Sequence, residues 1–140
     1  MTAIGSRTGI LDTSTVILFE RLDDEELPEE PLITAITLAE LSVGPLVAND
    51  DLERAARQAR LQQAEADFEP LPFDAEAARA FGRVAASLRQ ARRKVQAHTY
   101  DAMIAATAIA NRLPLYTVNP TDFEGIAGVD LRGVAHPDHH

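Results

Sequence analysis

The chain has 140 residues, 46% of them hydrophobic and 25% charged, the size and balance of one globular domain with a core of its own. It contains no cysteine, which excludes disulfides, thiolate metal sites and cysteine nucleophiles together. The formal net charge is -9, the wrong sign for holding nucleic acid by bulk attraction to phosphate, so any such contact depends on where the cations sit.

The charges are segregated. Seven acids lie between Glu20 and Glu30 beside the single Arg21, whereas Arg83, Arg89, Arg92, Arg93 and Lys94 fall close together. A basic run of this kind suits either a solvated helix end or a phosphate contact. The longest largely apolar run, Ala102 to Ala110, is about half of the roughly 20 residues that a membrane helix needs. Met1 to Thr8 holds one Arg and no apolar stretch, so it reads as neither a secretory signal nor a transit peptide, and a cytoplasmic location is expected. One domain is expected over 1–140, with 1–8 and 135–140 as flexible ends.

In chain order, Ile10-Leu11 reads as a short buried strand that stops at Asp12-Thr13-Ser14-Thr15, where a helix starts. Asp23 to Pro31 is acidic and holds two prolines, a loop that leads to a second strand over Leu32–Ile36. Thr37-Leu38-Ala39-Glu40 has the Ser/Thr-x-x-Glu spacing of a capping box, and the helix it opens is expected to reach Val47. Leu52 to Phe68 has no Gly or Pro and should form one long helix. Glu69–Phe73 suits a short edge strand, after which Asp74 caps a helix that runs to about Arg93. From Asp101, the residues Ile104, Ala105, Ala108 and Ile109 recur at helical spacing until Asn111. Leu115–Val118 reads as a strand, Asn119-Pro120 as an N-cap followed by proline at the first helical position, and Val129–Leu131 as a last strand. Strands alternating with helices predict a three-layer α/β/α sandwich around a central, mostly parallel sheet of four to five strands.

In such a sheet the functional crevice lies beyond the carboxyl ends of the strands. Asp12 follows the first strand, Glu40 lies one helical turn past the second, and Asn119 and Asp122 follow the strand containing Thr117. Asp101 opens a helix whose N-terminus these rules leave at either rim. Singly, each acid also suits a structural role: Asp12 as a cap, Glu40 as the capping-box partner of Thr37, Asp101 and Asp122 as first-turn residues favoured by the helix dipole. Jointly, four carboxylates without a counter-charge repel one another, so the set makes sense around a divalent cation. Oxygen donors alone suit Mg²⁺, with Mn²⁺ as a substitute. His98, His136, His139 and His140 lack zinc-like spacing; the last three read as an idle polar tail, and His98 as a candidate phosphate contact. A metal held by such acids serves phosphodiester hydrolysis through an activated water. Thr13, Ser14, Thr117 and Asn119 are candidates to orient the acids.

These residues together resemble the PIN-domain nucleases, in particular the VapC-type toxins of type II toxin–antitoxin systems. The resemblance rests on Leu11-Asp12-Thr13-Ser14, on Thr37 to Gly44, on Tyr100 to Ala108 and on Thr117 to Phe123. It implies a PIN-like fold, a pocket of Asp12, Glu40, Asp101 and Asp122 on one rim, and Mg²⁺-dependent endoribonuclease activity. It also implies inhibition by a cognate VapB-type antitoxin, whose C-terminal segment lies beside the site with an Arg reaching the acids, and a homodimer. Where many relatives carry an Arg before the third acid, this chain has Gln96-Ala97-His98-Thr99; Arg92, Arg93, Lys94 and His98 are the candidates for RNA contact instead. The rival reading is an acidic domain of the same fold that binds a metal or a partner without cutting. A phosphoacceptor receiver domain would need a phosphorylatable Asp at the end of its third strand and a Lys after its fifth, and Lys94, the only lysine, lies far from any strand end.

Overall fold

The computed structural model describes residues 7–138. Five strands, β1 (Thr8–Leu11), β2 (Glu30–Thr34), β3 (Pro70–Leu71), β4 (Leu115–Thr117) and β5 (Leu131–Gly133), form one sheet in the order β3-β2-β1-β4-β5. All four pairings are parallel, which obliges the chain to cross from one rim to the other between strands. Among the described residues, α-helices lie in the first three crossings: α1 (Thr13–Leu18) after β1, α2 (Ala35–Val43) and α3 (Asp51–Asp67) after β2, and α4 (Ala75–Gln90) and α5 (Thr99–Asn111) after β3; the 3₁₀ turn Pro120–Phe123 and the loop after it carry the chain from β4 to β5.

Alternation along the strands sends neighbouring residues to opposite faces. Ile10 and Leu115 enter a core with Val84, Leu88 and Ile104 from α4 and α5. Leu11 and Tyr116, one residue on, enter a second core with Val16, Leu41 and Ala64 from α1, α2 and α3. The sheet is therefore covered on both faces, and the expected three layers are present. Helix α5 is buried on most sides through Ala102, Ile104, Ala105, Ala106 and Ala108; its small side chains let it pack closely against α4 in the core they share with the sheet.

Several element boundaries differ from expectation: β5 lies at Leu131–Gly133 and not at Val129–Leu131, and β2 ends at Thr34, two residues before Ile36. β2 begins at Glu30 and includes Pro31. The Glu30 N–H bonds toward β1 (Arg7 O, 2.8 Å) and the Ile33 N–H toward β3 (Glu69 O, 3.3 Å), so the Pro31 nitrogen faces the β3 side before β3 has begun, where no N–H is needed. The second helix stops at Val43, and Gly44–Val47 is a 3₁₀ turn, because Pro45 cannot continue the α-helical ladder. Helix α4 ends at Gln90, and Arg92 takes the left-handed conformation (φ 61).

Of the stretches expected as loose ends, 1–6 and 139–140, with His139 and His140, lie outside the described residues. Thr8 belongs to β1 opposite Glu30, the Ala135 N–H donates to Glu26 (3.1 Å), and Arg21 pairs with Asp138 (2.6 Å). These contacts tie the described parts of both ends to the body. Among the described residues, no helix is long and apolar enough to cross a membrane.

Candidate active site

The chain builds β1, β2 and β3 outward in one direction, then returns to the other side of β1 for β4 and β5. At that reversal, between β1 and β4, the loops leaving adjacent strands diverge and open a crevice at the carboxyl rim. Asp12 leaves β1 and Asp122 follows β4 in the 3₁₀ turn Pro120–Phe123, so both border it. Glu40 comes from α2, behind β2. Asp101 lies in the first turn of α5, which must run antiparallel to the strands to deliver the chain to the start of β4; its N-terminus therefore lies at the same rim.

Asp12 is held most firmly. It is the N-cap of α1 and only 2% exposed. Its Oδ1 accepts from the Thr15 N–H (3.1 Å) and the Thr15 hydroxyl, and its Oδ2 accepts from the Thr117 hydroxyl of β4 (2.8 Å). Those hydroxyls are fixed in turn, since Thr15 Oγ1 accepts from the Val118 N–H (3.1 Å) and Thr117 Oγ1 from the Asn119 N–H (2.9 Å). Burial raises the Asp12 carboxyl above the ordinary carboxylate value, against the pull of these hydrogen bonds, and the charge of Asp122 adds to the rise.

Glu40 is not a capping-box acid. The N-cap of α2 is Thr34, whose hydroxyl accepts from the Thr37 N–H (3.1 Å), and Thr37 is buried three residues inside the helix. Strand β2 ends at Thr34, so the helix starts earlier than the Thr37 pattern suggests, and Glu40 lies too deep to reach the first-turn N–H groups. Its Oε1 accepts instead from the Thr13 hydroxyl (2.7 Å), which lies 3.1 Å from the Thr37 hydroxyl. Burial raises its carboxyl, the Thr13 bond opposes this, and the charge of Asp12 adds to it.

Asp101 carries the largest displacement, from 3.8 up to about 7, caused by burial and then by the charges of Asp122, Asp12 and Glu40; the charge of Arg93 opposes it. The four acids thus act on one another. None of them forms an ion pair among the described residues. They face one another at electrostatic range, not as a closed cage: among the described residues no three His, Cys, Asp or Glu side chains are grouped closely enough to hold a metal ion. The donors are nonetheless hard oxygens with unneutralised charge, the chemistry that suits Mg²⁺ or Mn²⁺.

The remaining candidates divide. Thr117 and Thr13 touch the acids directly, whereas the Ser14 hydroxyl has no hydrogen-bond partner among the described residues. Asn119 acts through its backbone and its side chain caps nothing. Thr15, which sequence reasoning passed over, does what was expected of Ser14; the Asp-x-x-Thr spacing of a capped first turn was its signal. Arg92 and Lys94 are exposed. Arg93 is turned inward: Nη1 donates to the carbonyls of Thr121 (3.3 Å) and Glu124 (2.5 Å), and Nη2 faces His98 Nε2 at 3.0 Å. A guanidinium only donates, so that ring nitrogen is the acceptor, and neither side chain is free as expected for a phosphate contact.

Two clefts meet at Glu40. One of about 510 Å³ is bordered by Glu40, Asp101, His98 and the half-exposed Tyr100, and one of about 290 Å³ by Thr13, Ile17, Glu40, Arg57 and Arg60. Ile17 and Arg60 also border a hollow of about 360 Å³ between α1 and α3, so the openings form a chain leading away from the acids.

The family model for the PIN domain matches residues 10–129. The chain belongs to the PIN-domain family. Within it the similarity is to VapC-type toxins. Ribonuclease VapC5 of Mycobacterium tuberculosis is 40% identical over 129 residues, covering 88% of this chain and 93% of that protein. Ribonuclease VapC1 of Rickettsia felis is 31% identical over 92% of this chain and 98% of its own length. Among solved structures, a chain of VapBC-5 from Mycobacterium tuberculosis, a member of the VapBC family of toxin–antitoxin systems, superposes with a TM-score of 0.78 at 38% identity, over 91% of this chain and 99% of that one. The PIN-domain match spans all four acids, the second half of β1 and the whole of β2, β3 and β4.

Proposed function

We propose that this VapC-type PIN domain is an endoribonuclease that works with Mg²⁺, or Mn²⁺ in its place, at Asp12, Glu40, Asp101 and Asp122. The observation that carries the reading is the convergence, at the β1/β4 crevice, of four acids from four separate segments with no ion pair of their own. It is supported by the relatives that bear the name ribonuclease. A divalent cation held by these acids would supply Lewis acidity toward a phosphodiester and lower the pKa of water for attack at neutral pH. The protein's part is positioning. Thr15 and Thr117 fix both oxygens of Asp12, and Thr13 fixes one oxygen of Glu40, which leaves the other Glu40 oxygen for a ligand. Asp101, raised to about 7, holds a proton on its carboxyl for part of the time near neutrality, which a cation bound there would displace. Tyr100, half exposed beside Asp101, offers an aromatic face to an RNA base.

Incubation of the protein with total cellular RNA and Mg²⁺, followed by mapping of new 5′ ends, tests the reading. Discrete new ends that vanish in Asp12→Asn and Asp101→Asn are expected. Binding of Mg²⁺ or a protein partner without any cleavage would favour the rival reading of a non-cutting acidic domain. By the same likeness, a VapB-type antitoxin is the proposed partner. Its C-terminal segment would lie along the clefts that meet at Glu40 and set an Arg against the acids. An antitoxin shortened by that segment should then bind and fail to inhibit. A homodimer, checked by sedimentation, and a cytoplasmic location complete the proposal.

A further inference from the structure

Helix α4 ends in a reversal: Arg92 is left-handed, its N–H bonds to Arg89 O (3.0 Å) and the Arg93 N–H to Leu88 O (2.8 Å), the paired bonds of a Schellman close. The reversal turns the Arg93 side chain toward the site. Its Nη1 donates to Thr121 O and Glu124 O, the carbonyls that flank Asp122-Phe123, and its Nη2 bonds His98, the residue that precedes α5 and Asp101. One guanidinium therefore joins the two segments that carry Asp122 and Asp101. The fit is close. A side-chain carbon at Gly125 would come within 3.2 Å of Arg93 Cδ and 2.9 Å of Ala91 Cβ, and Gly125 has φ +84, so only glycine lets the loop close over the arginine unstrained.

We propose that Arg93 is a positioning residue of the acidic site, a clamp that sets the separation of the Asp101 and Asp122 carboxylates by tying the turn after β4 to the start of α5. This rests on the reading of those acids as the working site. The charge of Arg93 also favours the ionised form of Asp101, in keeping with the placement. The proposal separates Arg93 from Arg92 and Lys94, whose side chains reach solvent.

The test compares wild type, Arg93→Gln and Arg93→Lys in the full chain. The readouts are Mn²⁺ affinity by titration calorimetry, amide exchange over 120–124, and kcat and KM for RNA. For Arg93→Gln, Mn²⁺ affinity should fall about tenfold, the usual scale for losing a partner that orients metal ligands. Exchange at 120–124 should rise, and kcat should fall with KM nearly unchanged. Arg93→Lys keeps the charge and at most part of the bridge, and should lie between. Wild-type Mn²⁺ affinity and kcat in Arg93→Gln would overturn the proposal. So would a rise in KM alone with a shallower salt dependence, the mark of a lost phosphate contact. Should Arg93→Gln unfold, Arg93→Lys decides: several-fold losses in Mn²⁺ affinity and kcat support the clamp, and wild-type values overturn it. If wild type itself neither binds Mn²⁺ nor cuts RNA, the functional reading fails, while exchange at 120–124 still decides the clamp.

Discussion

Replacing Asp101 with Asn should make the metal-free protein more stable while removing its activity. The folded carboxyl sits at about 7, against an ordinary value of 3.8. Between those values the folded chain binds more protons than the unfolded chain, so stability falls as pH rises. Below about pH 4 both states are protonated and the penalty is small; above about pH 7 it is complete. Each pKa unit corresponds to about 1.4 kcal/mol, giving about 4 kcal/mol as a ceiling. Asp101 is only half-buried, and solvent screening reduces this to about 2 kcal/mol. Asparagine removes the charge and with it the penalty. Urea unfolding of both proteins in chelator should show Asp101→Asn about 2 kcal/mol more stable at pH 8, or roughly 6 °C in Tm for a domain of this size. The two should be nearly equal at pH 4. Millimolar Mn²⁺ should then stabilise wild type more than the variant. An equal advantage at both pH values, or none at pH 8, would refute the electrostatic account of the cluster.

Asp12→Asn keeps a capping side chain for the Thr15 N–H, so it should fold as wild type and lose RNA cleavage, whereas Asp12→Ala should in addition lose about 1 kcal/mol of stability from the missing cap; thermal melts beside a cleavage assay separate the two. Thr117→Val removes the donor to Asp12 Oδ2 and the acceptor for the Asn119 N–H, and denaturant titration should show a loss of about 1–3 kcal/mol. Mg²⁺ at a hundred times its dissociation constant should stabilise wild type by about 2.7 kcal/mol, with little effect on a protein carrying both Asp12→Asn and Asp101→Asn; an unshifted wild-type melt would count against metal binding by the cluster. The acidic stretch 20–30 leads to the start of β2 and so approaches the rim opposite the acids. Neutralising Asp23, Asp24 and Glu25 should leave the mapped cleavage ends unchanged, and altered ends would place that stretch on the RNA path.

Much of the fold is legible in the sequence alone. Short apolar runs separated by helix-forming segments determine a parallel sheet with covered faces, and acids directly after strands are placed by topology alone, as with Asp12 and Asp122. The family motifs placed Asp101 at the same rim, which strand rules by themselves left open. Local capping patterns misled where two fitted at once: Thr34 and Thr37 are both good caps, and only the end of β2 pairing selects the first and frees Glu40.

What the tertiary structure decided is which of several similar side chains does a given task. Ser14 and Thr15 are equivalent on paper, yet only Thr15 lies where β4 comes alongside, so its hydroxyl can serve Asp12 and the Val118 N–H together. Arg92, Arg93 and Lys94 read as one basic run, but a left-handed residue at the helix end turns Arg93 inward and leaves its neighbours in solvent. Periodicity and local propensity fix the elements because they act over a few residues. Hydrogen bonds between segments far apart in the chain depend on register and turn geometry, which local sequence does not encode residue by residue.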